Sequence, residues 1–288
     1  MPTPTRASDA TLALGWYEFV RPTETYPRAK AAAQKGIEID ETSEEAHASL
    51  GGILMWYDWD WAASGRELAR VIQLNPNYAM GRHWRADLFS IQGRHDEAIA
   101  ESRKAQELDP LSLIINGWLG RRYYFARQYD EAAKECRKTL ELDPNFVPGH
   151  WLLGSVLLAQ GKQAEARAEF EAAVRMAGDN PRYLAYLANA RARSGDAAGA
   201  RAILGKLDAL EKGGRYVSPL DRALVHAGLG ETESALNGIE KSFDDRPSLM
   251  PYLGIDPVWD GLRGNARFQA VLQRLGLPGA PASDSATR

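Results

Sequence analysis

The chain has 288 residues, of which 44% are hydrophobic and 25% charged, a composition typical of a folded protein. Its 35 Lys and Arg residues face 38 Asp and Glu residues, and this near balance argues against a broad nucleic-acid surface, which needs a basic excess. Cys136 is the single cysteine, which excludes an internal disulfide, and no stretch approaches the roughly 20 apolar residues of a membrane span. We therefore expect a cytoplasmic protein without membrane insertion and without a direct nucleic-acid partner.

The N-terminal part predicts two helices separated by a break. Residues 1–7 are rich in Pro and Thr, and we expect them to be disordered. One helix is predicted over 8–20 and a second over 27–39, where Pro27 suits the first turn. Together, residues 8–43 form a unit whose first helix is cut short. The open apolar end of such a unit is the basis for one hypothesis, a homo-oligomer formed through the N-terminal repeat.

A tripeptide of Leu, then Asn or Asp, then Pro recurs along the middle of the chain. Its prolines are Pro76, Pro110 and Pro144, each 34 residues after the last. A fixed period of this length indicates a repeat architecture. Because the residue before a proline is pushed out of the helical region, each copy also predicts the end of a helix.

The sequence between these prolines is itself repeated. Small or apolar residues recur in it at spacings of three and four, which places them on one face of a helix. Two units show it most clearly: His150, Leu153, Gly154, Leu157, Ala166 and Phe170 in one, and Asn116, Leu119, Gly120, Tyr123, Ala132 and Cys136 in the other.

On these residues the chain resembles the tetratricopeptide repeat family, whose 34-residue pattern is W-x-x-L-G-x-x-Y, then A-x-x-x-F, then P. The resemblance implies an all-α fold, a right-handed α-solenoid of antiparallel helix pairs with about six repeats and a C-terminal capping helix. Gly120, Gly154 and Ala132 would lie where two helices approach closely, and a larger side chain there would cost roughly 1–3 kcal/mol. We interpret Cys136 as a packing residue of the same kind.

The same frame divides the chain into units of nearly constant length. The predicted division is a first degenerate repeat at 8–43, repeats at 44–78, 79–112, 113–146 and 147–180, repeat-like units at 181–215 and 216–249, a C-terminal cap at 250–277, and a disordered tail at 278–288. Glycines at the ends of first helices, Gly93, Gly161 and Gly195, suit left-handed C-terminal caps.

The turn of the second unit is unusual because tryptophans alternate with acids from Trp56 to Trp61. These rings are candidates for a ligand platform. The alternative interpretation is that they pack over the joint between two helices while the acids cap the following helix.

The sequence contains no recognisable catalytic or metal-binding motif. It has no His-Glu-x-x-His and no paired cysteines. Gly154 and Gly161-Lys162 are separated by six residues where a phosphate loop needs four. We therefore predict no catalytic residues, no metal and no cofactor, and we expect a protein that is not an enzyme.

In tetratricopeptide arrays the first helices line a concave groove, and the resemblance implies ligand contacts at five positions of each unit. Carried over by position, the predicted groove residues are Met55, Trp56, His83, Asp87, Ile91, Arg121, Tyr124, Phe125, Trp151, Arg182, Asn189 and Arg193. Aromatic residues and arginines suit recognition, although such rings also pack against neighbouring helices. Co-chaperone members of the family bind a peptide C-terminus through an Asn at position nine. Gly52, Asp87 and Arg121 stand there instead, which disfavours that ligand.

Two functions follow as hypotheses. The first is a non-enzymatic scaffold that binds a protein or peptide partner in its concave groove. The second is a regulatory or self-associating module that acts on an effector, such as a transcription regulator, a Ser/Thr kinase or a cyclase. Its basis is that the sequence segments 58–61, 74–79 and 256–268 resemble repeat modules that follow effector domains in bacterial signalling proteins.

Overall fold

The computed structural model describes residues 14–277, and the regular secondary structure within that range is helical, without strands. Fourteen α-helices are used below. They are α1 Pro22–Ile39, α2 Glu44–Ile53, α3 Trp61–Leu74, α4 Ala79–Ile91, α5 His95–Leu108, α6 Leu113–Phe125, α7 Tyr129–Leu142, α8 Val147–Ala159, α9 Gln163–Ala177, α10 Pro181–Arg193, α11 Ala197–Lys212, α12 Pro219–Gly228, α13 Thr232–Asp245 and α14 Ala266–Arg274.

From α2 onward, successive helices pack as antiparallel pairs, and each first helix also adjoins the first helix of the next pair. The first helices, α2, α4, α6, α8, α10 and α12, therefore form the inner, concave surface. The fold is the predicted right-handed α-solenoid. The exact boundaries of the repeat units stay a prediction. None of the helices in the described part is long and apolar enough to cross a membrane.

Small residues fix the distance between paired helices. A Cβ atom added to Gly154 would lie 2.8 Å from the Phe170 ring, and one added to Gly120 would lie 2.7 Å from the Cys136 sulfur. Cys136 is buried, as its packing interpretation requires. Close helix pairing thus depends on glycine at these two positions.

The fourth residue of three first helices makes the same pair of contacts. One ring nitrogen of His150 lies 2.6 Å from a Glu169 carboxylate oxygen, and the other lies 2.9 Å from the Pro144 carbonyl oxygen. His47 and Arg82 likewise reach a glutamate of the following helix and a carbonyl oxygen of the preceding loop. These contacts tie each helix pair to the loop before it.

Helix ends follow the predicted chemistry. Gly93, Gly161 and Gly195 have φ angles of 74°, 76° and 88°, so the left-handed caps predicted from their positions are confirmed. Asp60 accepts a hydrogen bond from the Ala63 amide at 2.9 Å and caps α3, because its carboxylate satisfies one of the free N–H groups of the first turn.

The N-terminal helices differ from the prediction. Helix α1 begins at Pro22, five residues before the predicted start, and Pro27 lies inside it. Pro22 occupies the first turn, where a missing N–H costs nothing, whereas Pro27 removes a single internal hydrogen bond. The helix predicted over 8–20 lies partly outside the described residues, and within them only residues 14–16 are helical before a turn. The disordered segments predicted at 1–7 and 278–288 also lie outside the described residues.

The segment 247–262 is not stacked on the end of the solenoid. It forms two short 3₁₀ turns, Met250–Tyr252 and Pro257–Leu262, and crosses the concave surface. Only α14 packs beside α13 in the manner of a cap. We call residues 247–262 the resident segment. Its path places side chains from the C-terminal end of the chain against first helices from the N-terminal half.

Candidate binding site on the concave surface

The predicted groove residues lie together on the concave surface, but the resident segment covers most of them. Eleven are buried, which leaves their side chains little surface for a partner in this conformation: Met55, Trp56, His83, Asp87, Ile91, Arg121, Tyr124, Phe125, Trp151, Arg182 and Asn189. Arg193 is the exposed exception. Whether these residues bind a partner stays a prediction.

Tyr252 of the resident segment is held by four of these residues. Its hydroxyl accepts a hydrogen bond from the Trp56 indole at 3.0 Å and donates one to the Asp87 carboxylate at 2.7 Å. Its ring stacks on Phe125 with 5.5 Å between centroids, and the Arg121 guanidinium lies 4.1 Å from the ring centroid on its face. The groove therefore binds this tyrosine through its hydroxyl and through aromatic and cation–π contacts with its ring.

A buried ion pair supports this tyrosine. The carboxylate of Asp87 lies 2.9 Å from the guanidinium of Arg122, and both side chains are fully buried. Burial and the charge of Arg122 lower the pKa of His83 to about 3, so this imidazole is neutral. Asp87 thus compensates Arg122 and accepts from Tyr252 at the same time.

Asp256 is the second anchor of the resident segment. Its carboxylate accepts hydrogen bonds from the Tyr124 hydroxyl at 2.8 Å and from the Val258 amide at 3.0 Å. Burial raises the pKa of Asp256 above its usual value, while the Val258 amide and the nearby charge of Arg121 oppose that rise. The concave surface therefore already accommodates one carboxylate.

A third cluster joins the start of the resident segment to the N-terminal part. The guanidinium of Arg182 lies 2.8 Å from the Glu18 carboxylate and donates to the Ser248 hydroxyl at 2.9 Å. Burial first, and then the charge of Glu18, raise the pKa of Asp221 well above its usual range. The carboxyl groups of Glu18 and Asp221 thus both interact with the positive charge of the buried Arg182.

Beside the end of the resident segment the concave surface remains open. A cavity of about 300 Å³ lies there, which we call the tyrosine cavity. Its walls are Tyr124, Tyr129, Ser155, Leu158, Ala159, Tyr186, Asn189, Arg193, Ala227, Pro257, Val258, Asp260 and Gly261. Three of the predicted groove residues, Tyr124, Asn189 and Arg193, are among them.

Sequence reasoning missed the other polar walls of this cavity. Tyr186 follows the predicted residue Arg182 by four positions, one helical turn, so it shares the same face, and this spacing was the available signal. Tyr129 and Asp260 had no such signal, because one begins a second helix and the other belongs to the resident segment.

Comparison with known protein families agrees with this architecture. A tetratricopeptide repeat model matches residues 82–110, and a second model of the same description matches residues 119–181 and 152–214. Tetratricopeptide repeats therefore span residues 82–110 and 119–214 of this chain. Its fold is that of a scaffold for protein–protein interaction. No curated protein matches the sequence significantly.

Solved tetratricopeptide structures are similar in fold. A thermophilic TPR protein from Thermus thermophilus is 17% identical, with a TM-score of 0.58 over 65% of this chain and 96% of that one. The human IFIT1 dimer with m7Gppp-AAAA is 18% identical, with a TM-score of 0.67 over 95% of this chain and 68% of that one. PilW, a type IV pilus biogenesis factor, is 18% identical, with a TM-score of 0.55 over 73% and 94%. Identities this low show the fold alone.

In this tetratricopeptide protein the tryptophan-rich turn packs within the chain. Residues Leu54–Asp58 form one π-helical turn, and Trp59 follows with a φ of 60°. The Trp59 ring meets Phe243 edge-on at 5.5 Å, and the Trp61 indole donates to the Leu275 carbonyl at 2.9 Å. The packing interpretation therefore describes these rings, but they contact the C-terminal helices in addition to their own joint.

The described residues contain no group of His, Cys, Asp and Glu arranged to hold a metal ion. Burial raises the pKa of the Cys136 thiol to about 12, so this side chain is a thiol at neutral pH and a poor nucleophile. What the concave surface offers chemically is recognition, through aromatic rings, hydroxyls and guanidinium groups.

Proposed function

We propose that this tetratricopeptide protein is a non-enzymatic, cytoplasmic scaffold that binds a polypeptide partner at the tyrosine cavity, while the resident segment fills the rest of the groove. The observation that carries the proposal is that the concave surface already binds a polypeptide, its own residues 247–262, through the anchors Tyr252 and Asp256. A surface that holds one segment by its side chains has the chemistry to hold another beside it.

The open part of the concave surface decides where a partner would contact it. The groove residues beneath Tyr252 are buried, so a partner reaching them would have to displace an aromatic anchor and its hydrogen bonds. Arg193, Tyr129 and the walls of the tyrosine cavity need no such displacement. A cavity of about 300 Å³ accommodates one or two side chains of an extended segment, with flanking residues on the rim.

A polypeptide is favoured over RNA as the ligand of this chain. IFIT1, a fold relative, is described with m7Gppp-AAAA, but binding to many phosphates requires an excess of basic residues. Here the whole chain carries a net charge of −3. The balance of charge therefore supports a protein or peptide partner.

The regulatory alternative and the self-association hypothesis stay predictions. The sequence at 58–61 resembles modules that follow effector domains. In this chain its residues Trp59 and Trp61 contact Phe243 and Leu275 in the C-terminal part. In the first unit Trp16 and Tyr26 are buried by the chain itself, whereas Leu14, Phe19 and Ile39 are exposed. An effector domain is one class of partner for the tyrosine cavity, but no contact of the described residues singles it out.

The test is selection of peptides from a random-sequence library on the full chain, followed by affinity measurement by calorimetry. We expect the selected peptides to lose at least about tenfold in affinity with Tyr129→Ala or Arg193→Glu, since aromatic and arginine anchors dominate binding. Arg175→Glu is the matched control, because Arg175 is exposed on the second helix α9. Equal affinity for the Arg193 and Arg175 variants, or no selected peptide at all, contradicts the proposal.

A further inference from the structure

The tyrosine cavity contains two polar groups that the protein leaves without a partner. Within the described residues, the Arg193 guanidinium makes no hydrogen bond or ion pair, and the Tyr186 hydroxyl makes no hydrogen bond. Both are donors. The same wall of the cavity, helix α10, supplies both.

The charges around the cavity are not balanced. Asp260, on the opposite wall, is already paired, with the Arg127 guanidinium at 2.9 Å and the Arg263 guanidinium at 2.6 Å. Arg193 adds a third cation, and the carboxylate of Asp256 lies behind the wall. Asp221, the other carboxyl group near Tyr186, has a pKa raised to about 8 by burial and by Glu18, so it adds little negative charge at neutral pH. The cavity therefore has an excess of positive charge and favours an anionic group.

The neighbouring site shows how this surface receives a carboxylate. Asp256 lies beside the cavity, where the Tyr124 hydroxyl donates to it and Arg121 supplies a nearby positive charge. Tyr186 and Arg193 offer the same pair of chemical groups one step along the groove. Leu158, a further wall residue, adds apolar surface for the methylene groups of a side chain.

We propose that the tyrosine cavity is a carboxylate-anchoring site that takes an acidic side chain of a bound polypeptide. Arg193 pairs with the carboxylate, the Tyr186 hydroxyl donates to it, and the apolar walls pack on its methylene groups. This inference rests on the proposed function, because it assumes a polypeptide ligand at the same cavity. A free small carboxylate has the same chemistry, and the experiment separates the two sources.

The experiment uses two libraries of capped peptides that are identical except for one fixed central residue, Glu in one and Gln in the other. We expect the full chain to retain the Glu library about tenfold better, because a hydrogen-bonded charge is recognised more strongly than its neutral isostere. The preference should fall to nearly one with Arg193→Gln and decrease about threefold with Tyr186→Phe. Arg175→Gln, the matched control, should keep the full preference.

The outcomes separate the two proposals. Equal retention of both libraries, at a cavity that Tyr129→Ala still disrupts, overturns the carboxylate anchor and leaves the scaffold function standing. If neither library binds, both proposals are overturned. If free glutamate binds the chain as tightly as the Glu peptides and in an Arg193-dependent way, the ligand is a small carboxylate and the polypeptide anchor is wrong.

Discussion

Individual charged residues inside this protein are explained by the resident segment, and not by the repeat pattern. Glu18, Arg182 and Asp221 show this, because a repeat helix does not need a buried arginine at its second position. Arg182 pairs with Glu18 and reaches Ser248 of the resident segment. Since one buried cation cannot compensate two nearby carboxylates in full, one of them retains its proton.

The shared arginine predicts a pH dependence of stability. Because burial and Glu18 raise the pKa of Asp221, the folded protein holds a proton that the unfolded chain releases above the usual pKa of an aspartate. The free energy of unfolding therefore decreases as the pH rises from about 5 to 7, by up to about 1.4 kcal/mol per pH unit from this group. Asp221→Asn should remove that slope.

Urea unfolding of the wild type and Asp221→Asn at several pH values in this window measures the difference between the two curves. Other titrating groups affect both proteins equally, so the difference isolates Asp221. Arg222 lies next to it on α12, pairs with Glu211 at 2.8 Å, and opposes the raised pKa of Asp221 with its charge, so Arg222→Gln should keep the slope. Parallel curves for the wild type and Asp221→Asn contradict the shared-arginine explanation.

At the scale of helices, close packing depends on particular glycines and not on glycine in general. Gly154 faces the Phe170 ring so closely that an added Cβ would lie 2.8 Å away, whereas nothing lies within 4 Å of a Cβ at Gly205, inside α11. The first glycine permits two helices to approach. The second only lowers the helix propensity of an exposed position.

Opposite effects on stability are therefore expected from the same substitution. Gly154→Ala should decrease the free energy of unfolding by roughly 1–3 kcal/mol, because a buried aromatic ring must move. Gly205→Ala should increase it by up to about 1 kcal/mol, because alanine is the better helix former and meets no neighbour. Thermal and urea unfolding measure both, and destabilisation by both variants would contradict the packing explanation.

The helix pairs could be predicted from sequence because their determinants are local. Leucine, glycine and alanine spacings, together with the Asp-Pro stops, indicate each helix within a few residues. The start of α1 was misjudged because Pro22 and Pro27 are both acceptable near a helix start, and only the tertiary contacts choose between them. Local patterns thus determine the elements, with exceptions where two signals compete.

The candidate site could be predicted only in part. The positions that face the concave surface follow from the repeat frame, but the residues that cover them do not. The Trp56 indole bonds to Tyr252 across 196 residues, and Tyr124 bonds to Asp256 across 132. No periodic pattern links such distant residues. The available signal was compositional, since residues 249–262 are too apolar for an exposed loop.

Over the whole molecule, the resident segment changes how the solenoid holds together. In a simple repeat array each unit contacts only its neighbours, so stability propagates step by step. Here the segment contacts the π-helical turn after α2, helices α4 and α6 in the N-terminal half, and α10 near the C-terminal end. Helix pairs that are distant along the chain therefore share contacts, and we expect them to open together.

Tyr252→Ala tests this coupling because Tyr252 joins the two halves. Loss of a buried aromatic ring should cost about 3–5 kcal/mol, and the Trp56 indole and Asp87 would lose their partner. Native-state hydrogen exchange should then be faster in α2, α4 and α6, more than 100 residues before the substitution.

Phe268→Ala is the matched control, since it removes another fully buried ring, in α14, whose helix packs beside α13. Its effect on exchange should stay within α13, α14 and the segment from Trp59 to Trp61 that they contact. A Tyr252 variant that also perturbs only the C-terminal helices would show that the N-terminal pairs are stable on their own. The concave surface beneath Tyr252 would then be a groove from which the resident segment can be displaced, and not the centre of a closed structure. Because a displaced segment exposes Trp56 and Phe125, that result would also move the expected partner site from the tyrosine cavity toward α2, α4 and α6.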